Sequence, residues 1–153
     1  MKYWLLALVS VAVVASAATV SKKPDFSGEW KMNAAKSNYG QIPAPASFVR
    51  NITHAEPNLT IVEIQSGGGS DGTITRKMTT DGKPTSMDIN GTPVACSAAW
   101  DGTSLIATTA IDSAGVTFKD KMSLSDEGKT LTSVVKITSA QGEGEITIAF
   151  DRQ

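Results

Sequence analysis

The stretch GVTFKDKMSLS, Gly115 to Ser125, shows the pattern that decides the fold. Apart from Asp120, apolar side chains occupy one parity of the stretch, and lysine, threonine and serine occupy the other. A period of two residues is typical of a β-strand with one face turned to a dry interior. The stretch therefore predicts a strand that buries one set of side chains: Val116, Phe118, Met122 and Leu124.

The same alternation recurs along the chain, in GEITIAFDR, GTITRKMTT, SFVRNITH and PVACSAAW. Turn signals such as Asp81-Gly82, Asn90-Gly91 and Asp101-Gly102 separate these runs at intervals of about 8 to 12 residues, the spacing of an antiparallel meander. No segment after Ala18 keeps a helical period for three turns, although NAAKSNYG favours one short helical turn. The sequence thus predicts an all-β, antiparallel up-and-down meander of about 8 to 10 strands.

Such a meander would leave two exposed edge strands unless it closed on itself. We therefore expect a closed, lipocalin-like β-barrel rather than an open sheet or a sandwich. A barrel of this size is either filled by its own side chains or holds one small ligand.

The N-terminus is typical of an export signal. Lys2 precedes an apolar run from Trp4 to Ala15, and Ala15-Ser16-Ala17 provides the small residues of a cleavage site. The apolar run is shorter than the roughly 20 residues of a membrane-spanning helix, the alternative interpretation. We predict a signal peptide at residues 1–17, a linker at 18–25 and the barrel domain at 26–153, with the mature protein secreted or periplasmic.

Composition limits the partners. A chain of 153 residues suits one domain, and a net charge of −1 provides no basic surface for nucleic acid or for an anionic membrane after signal cleavage. Cys96 is the only cysteine, so no intramolecular disulfide can form. We expect a monomer that binds neither nucleic acid nor membrane.

The stretch FSGEWKMN, followed by Asn38-Tyr39, resembles the first strand of the calycin barrels, the lipocalins and fatty-acid-binding proteins. The segments TTDGKPT, VACSAAWDGTSL, LSDEGKTLT and QGEGEITIAFDRQ are similar to those of small secreted bacterial lipocalin-like domains. This resemblance implies that Gly28 and Trp30 close the barrel base, with Arg152 of the last strand packed on the indole. The chain departs from the fatty-acid-binding proteins in lacking room for a two-helix lid, and from the lipocalins in lacking a clear Thr-Asp-Tyr motif.

Three charged residues have the inward parity of their strands: Arg50, Arg76 and Asp120. Burial of an unpaired charge is unfavourable by several kcal/mol, so each group needs a partner or access to water. A β-bulge or a position near the rim would expose the arginines, or they would pair with Asp120. Two arginines against one aspartate would also leave a surplus positive charge for a ligand carboxylate.

Catalytic and metal sites are weakly supported. His54 and Cys96 share inward parity, but a nucleophile pair also needs a third residue and an oxyanion hole. One histidine and one cysteine fall short of a metal site, and SGGGSDGT is a hairpin loop rather than a phosphate-binding loop. We expect no enzyme activity, no metal and no cofactor.

The sequence favours an exported barrel that binds a small hydrophobic, amphipathic or carboxylated ligand. Bulky aromatic residues are scarce, with four Phe, three Trp and two Tyr, which favours a cavity over the alternative of an envelope, interaction or inhibitor module with a filled core. The candidate ligand-binding residues are Phe48, Arg50, Ile74, Arg76, Met78, Met87, Trp100, Phe118, Asp120 and Met122.

Overall fold

A computed structural model of the chain describes residues 21–69 and 71–153, and the expected signal peptide lies outside the described residues. Ten antiparallel strands alternate with short turns, and two single 3-10 turns span Ala34–Lys36 and Asp112–Ala114. The strands are β1 Gly28–Met32, β2 Ser47–Ala55, β3 Asn58–Ser66, β4 Gly72–Thr79, β5 Thr85–Ile89, β6 Thr92–Asp101, β7 Ser104–Ile111, β8 Val116–Leu124, β9 Thr130–Ser139 and β10 Gly142–Arg152.

The ten strands form one sheet in which each strand pairs with its sequence neighbours, apart from β4 and β5, and β1 also pairs with β10. The first and last strands therefore meet, and the sheet curls into a nearly closed up-and-down barrel. The break lies between β4 and β5, where the described residues form no ladder. Next to this break, Gly82 N–H donates to Ala98 O at 2.8 Å, and Asp81 forms a bridge with Ala99. The predicted all-β barrel fold is confirmed.

Local sequence explains the strand connections. Asn90 and Gly91 join β5 to β6 with φ of 52° and 82°, and Ile89 pairs with Thr92 across the turn. Positive φ at both central residues is the geometry that an Asn-Gly pair favours in a two-residue hairpin. This turn fixes the register that places Val94 and Cys96 inside the barrel, where both are buried.

The chain between β1 and β2, residues 33–46, forms a strap along the wall of the barrel. Asn33 N–H donates to Ala149 O at 2.8 Å, and Asn38 exchanges two backbone hydrogen bonds with Thr147, so the strap first continues the pairing of β1 on β10. The expected helical turn is the 3-10 turn within this strap. Among the described residues, no helix has the length and hydropathy needed to cross a membrane.

The core occupies the base half of the barrel, the end at which β1 begins and β10 ends. Large apolar side chains there are almost completely buried, because the inward parity of several strands is apolar at this height. They include Phe26, Trp30, Ile61, Leu105, Met122 and Leu131. The opposite half, called the mouth, is left open.

Candidate functional site

A cavity of about 850 Å³ fills the mouth half of the barrel. Its rim is formed by the β3–β4, β5–β6 and β7–β8 turns, and polar residues such as Asp71, Asn90 and Ser113 lie there. Its wall is apolar and rich in β-branched residues, which pack well on a pleated surface. The wall consists of Phe48, Ile74, Ile89, Val94, Ile111, Phe118, Val135, Ile137, Ile146 and Ile148.

Four charged side chains form the floor of this cavity, and we call them the ionic floor: Arg50, Glu63, Arg76 and Asp120. Arg50 and Glu63 lie opposite each other on β2 and β3, and Arg50 Nη2 is 2.6 Å from Glu63 Oε1. The same Nη2 is 3.0 Å from Asp120 Oδ2, and Arg76 Nη2 is 2.9 Å from Glu63 Oε1. These ion pairs cross the barrel interior and link β2, β3, β4 and β8.

Two hydroxyl groups complete the ionic floor. Arg50 Nη1 donates to Ser133 Oγ at 3.1 Å, and the Ser133 hydroxyl donates to Asp120. Arg76 Nη1 donates to Thr109 Oγ1 at 3.3 Å. The Nε atoms of both arginines are buried without a hydrogen-bond partner. The floor is therefore held by its guanidinium ends, each of which bonds a carboxylate and a hydroxyl.

Arg50, Arg76 and Asp120 are only 2%, 6% and 3% exposed, and Glu63 has 11% side-chain exposure. Burial alone would lower the pKa of Arg50, but the Asp120 and Glu63 carboxylates raise that pKa above its ordinary value. Burial opposes ionisation of Glu63, yet Arg76 and Arg50 hold the pKa of its carboxyl below its ordinary value. The ion pair between Arg50 and Glu63 is thus maintained at neutral pH.

Of the three alternatives for the inward charges, the structure shows pairing inside the barrel, because Arg50 and Arg76 are buried rather than exposed at a bulge or the rim, and their charges leave no surplus. Arg50 and Arg76 are balanced by Asp120 and by Glu63, a residue that sequence reasoning missed. Glu63 has the parity of the buried residues Leu59 and Ile61, which could have identified it. That signal was weak because Val62 and Ile64 make the opposite face of β3 equally apolar.

The structure brings together six of the ten predicted ligand-binding residues and separates four others from the cavity. The six that line it are Phe48, Arg50, Ile74, Arg76, Phe118 and Asp120. Met78 and Met122 point inward as expected, but they are packed in the core of the base half. Met87 is half-buried on β5, with its Sδ 3.4 Å from Cys96 Sγ. The alternation in the sequence predicted which face of the strand these residues occupy, but it did not predict how far along the barrel axis they lie.

Trp100 lies at the base and does not line the cavity. Its Nε1–H donates to Glu56 at 2.8 Å, and its ring centroid is 6.0 Å from that of Phe26. His54 belongs to the same group, since its Nδ1 accepts from Phe26 N–H at 3.3 Å and its Nε2 is 2.9 Å from Glu56. Trp100 sits here because it is only one residue from the end of β6, where the strand reaches the base.

Cys96 has different neighbours from His54, namely Met87 and Thr109. The structure therefore does not join His54 and Cys96 as a nucleophile pair. Within residues 21–69 and 71–153, no cluster of three or more His, Cys, Asp or Glu side chains could hold a metal ion.

Gly28, Trp30 and Arg152 meet at the base. Trp30 is completely buried and donates its Nε1–H to Phe26 O at 3.0 Å. The Arg152 guanidinium lies over the indole, 4.1 Å from the ring centroid, and donates to Ser27 O at 2.7 Å and to Gly128 O at 2.8 Å. A cation over an indole contributes about 0.5 to 2 kcal/mol. This arrangement ties the last strand to the segment that enters the first.

Gly28 is expected to tolerate no side chain without loss of stability. Its φ is +142°, and a Cβ atom there would lie 2.5 Å from Arg152 Nη1. We expect Gly28→Ala to lower the free energy of unfolding by about 1 to 3 kcal/mol, through backbone strain and displacement of Arg152 from the indole. Urea unfolding measures the loss, and Gly69→Ala is the matched control for positive φ, since a Cβ at Gly69 meets nothing within 4 Å. Equal losses for the two variants would contradict the close packing at Gly28.

No protein-family model and no curated protein matches the sequence. Solved structures nevertheless share the fold. A secretory abundant heat soluble protein from Ramazzottius varieornatus superposes with a TM-score of 0.65 at 12% identity, over 84% of this chain and 95% of that one. Zebrafish ileal bile acid-binding protein complexed with cholic acid gives 0.58 at 16% identity, over 84% and 98%.

A Schistosoma mansoni fatty acid binding protein in complex with arachidonic acid gives a TM-score of 0.57 at 11% identity, over 84% of this chain and 96% of that one. At these identities the likeness establishes the fold alone. The neighbours are calycin-type β-barrels, as the resemblance of the first strand implied.

Proposed function

We propose that this chain is a non-catalytic binding protein that holds one small apolar or amphipathic molecule in the mouth half of its barrel. The observation that carries this proposal is the cavity of about 850 Å³ with an apolar wall and an open rim. Cavities of roughly 300 to 1,000 Å³ with a few polar groups on an apolar lining are typical of small-molecule sites. The apolar wall supplies the driving force, because a ligand there removes hydrophobic surface from water.

The solved neighbours support the same function. One is a complex with cholic acid and another is a complex with arachidonic acid, both of them molecules with large apolar surfaces. The open cavity favours binding over an interaction module with a filled core. The separation of Cys96 from His54 argues against nucleophilic catalysis by this pair.

We also propose that the protein acts as a secreted or periplasmic monomer. Export is supported by the leader-like N-terminal sequence. The monomeric state is supported by the outer surface, where the large exposed apolar side chains among the described residues are Ile42 and Ile64, each 44% exposed. Single apolar residues do not form the contiguous patch that a stable interface needs.

Blocking the cavity tests the proposed function. Ile137 lines the cavity wall, whereas Ile106 alternates with the buried residues Leu105 and Ala107 and faces outward. We expect Ile137→Trp to weaken uptake of an environment-sensitive apolar dye about tenfold or more, corresponding to about 1.4 kcal/mol of lost binding free energy. Fluorescence titration of the purified protein provides the measurement.

Ile106→Trp is the matched control, because it adds the same bulk on the opposite face. It should leave dye affinity unchanged, and circular dichroism should show both variants folded. Absence of saturable uptake by the wild-type protein, or equal weakening by the two variants, would refute a ligand in the cavity.

A further inference from the structure

The ionic floor is electrically balanced without a ligand. Glu63 Oε1 lies 2.6 Å from Arg50 Nη2 and 2.9 Å from Arg76 Nη2. Arg50 Nη2 is also 3.0 Å from Asp120 Oδ2. Two guanidinium groups and two carboxylates sum to zero charge. Neither arginine is left as a free cation for an anionic ligand.

We propose that the cavity selects an uncharged amphiphile with a hydroxyl group, such as a long-chain alcohol, over the free carboxylate of the same chain length. This inference rests on the proposed function, because it concerns the same cavity. It specifies the polar group that reaches the ionic floor while the apolar chain lies against the wall.

The floor disfavours a carboxylate for two physical reasons. A carboxylate loses its hydration on entering a buried site, and this loss is compensated only by a free cation or several good hydrogen bonds. Here Arg50 already contacts Glu63 and Asp120, and Arg76 already contacts Glu63, so an added anion would also be repelled by two buried carboxylates. The ligand would introduce an unbalanced negative charge into a neutral layer.

A hydroxyl group of a ligand can hydrogen-bond to residues at the floor without adding charge. Both arginines contact Glu63 through Oε1, which leaves Oε2 as an acceptor for the O–H of a ligand. Gln65 lies two residues along β3 on the same face and also lines the cavity, so its neutral amide is available to the ligand oxygen. A hydroxyl both donates and accepts, and it brings no charge to be neutralised.

Competition between two probes of equal chain length tests this inference. Dodecanol and dodecanoate are each titrated, as dispersed monomers, against the protein loaded with an environment-sensitive apolar dye. We expect dodecanol to displace the dye at a concentration about tenfold or more below that needed for dodecanoate. Displacement by dodecanoate at an equal or lower concentration would overturn the inference and leave the proposed function standing. Failure of the dye to bind at all would instead refute the proposed function.

A change in the charge of the floor should reverse the preference. Glu63→Gln leaves two guanidinium groups against Asp120, so the floor gains one positive charge and dodecanoate should become the better competitor. Combining Glu63→Gln with Arg76→Gln restores neutrality, and preference for dodecanol should return. Glu29→Gln, the same substitution at an exposed position of β1, is the matched control and should keep the wild-type preference.

Arg76→Gln alone covers the case in which Glu63→Gln does not fold. It leaves one surplus negative charge, so dodecylamine, which carries an ammonium group, should gain on dodecanol relative to the wild-type protein. The inference would be overturned if folded Glu63→Gln still preferred dodecanol, or if dodecylamine gained nothing on dodecanol in folded Arg76→Gln, because the charge of the ionic floor would then not select the ligand.

Discussion

Arg50→Met is expected to lower the free energy of unfolding by about 3 to 5 kcal/mol at pH 7, the usual effect of removing one partner from a buried ion pair. Arg50 is 2% exposed and contacts both Glu63 and Asp120. Its removal leaves Glu63 paired with Arg76 but leaves Asp120 with only the Ser133 hydroxyl. Urea unfolding followed by far-ultraviolet circular dichroism measures the loss.

The double variant Arg50→Met/Asp120→Asn separates charge from packing. It removes one charge of each sign and keeps the Arg76–Glu63 pair, so it should be more stable than Arg50→Met alone although it carries one more substitution. Lys77→Met, on the exposed face of β4, is the control and should change stability by no more than about 0.5 kcal/mol. A loss below about 1 kcal/mol for Arg50→Met would contradict a buried network in which Asp120 depends on Arg50 for its compensating charge.

The pH of this measurement matters because the floor depends on ionised carboxylates. The pKa of Glu63 is depressed below its ordinary value of 4.5 by Arg76 and Arg50. A depressed pKa in the folded state contributes stability above the unfolded-state pKa, and this contribution is lost as the pH falls through the folded-state pKa. At pH 7 the wild-type protein has the full contribution, so the comparison with Arg50→Met is then at its largest.

Much of the fold could be predicted from the sequence because half-buried strands leave a period of two residues. The stretch Gly115 to Ser125 and the Asn90-Gly91 turn are clear cases, and both have the predicted structure. The break between β4 and β5 could not be predicted in this way. Asp81-Gly82 indicated an ordinary hairpin, but Gly82 bonds Ala98 on β6, and Pro84 has no N–H for a ladder.

The site could be predicted only in part, because alternation reports which face a residue occupies and not its height along the barrel axis. Phe118, Asp120 and Met122 share one face of β8, yet Phe118 lines the cavity wall, Asp120 the floor and Met122 the core below. Height depends on the register between strands, which the turns and the whole barrel set together. The partner of the buried arginines, Glu63, was hidden by the apolar residues on both faces of β3.

Trp30→Ala is expected to lower the free energy of unfolding by about 3 to 5 kcal/mol, the range for truncating a buried aromatic side chain. The loss combines three contributions at the base. The indole is completely buried, and it donates a hydrogen bond to Phe26 O at 3.0 Å. The Arg152 guanidinium packs on its face, 4.1 Å from the ring centroid. Urea unfolding followed by far-ultraviolet circular dichroism measures the loss independently of tryptophan fluorescence.

Two further variants identify what Trp30 contributes. Trp100→Ala removes another indole at the base, but Trp100 is only half-buried, so its loss should be clearly smaller. Trp30→Phe keeps an aromatic ring under Arg152 but deletes the indole N–H, and it should fall between the wild-type protein and Trp30→Ala. A loss of no more than about 0.5 kcal/mol for Trp30→Ala would equal the usual effect of a substitution on the surface. The interaction between Arg152 and Trp30 would then not be what holds the last strand of the barrel to the segment that enters the first.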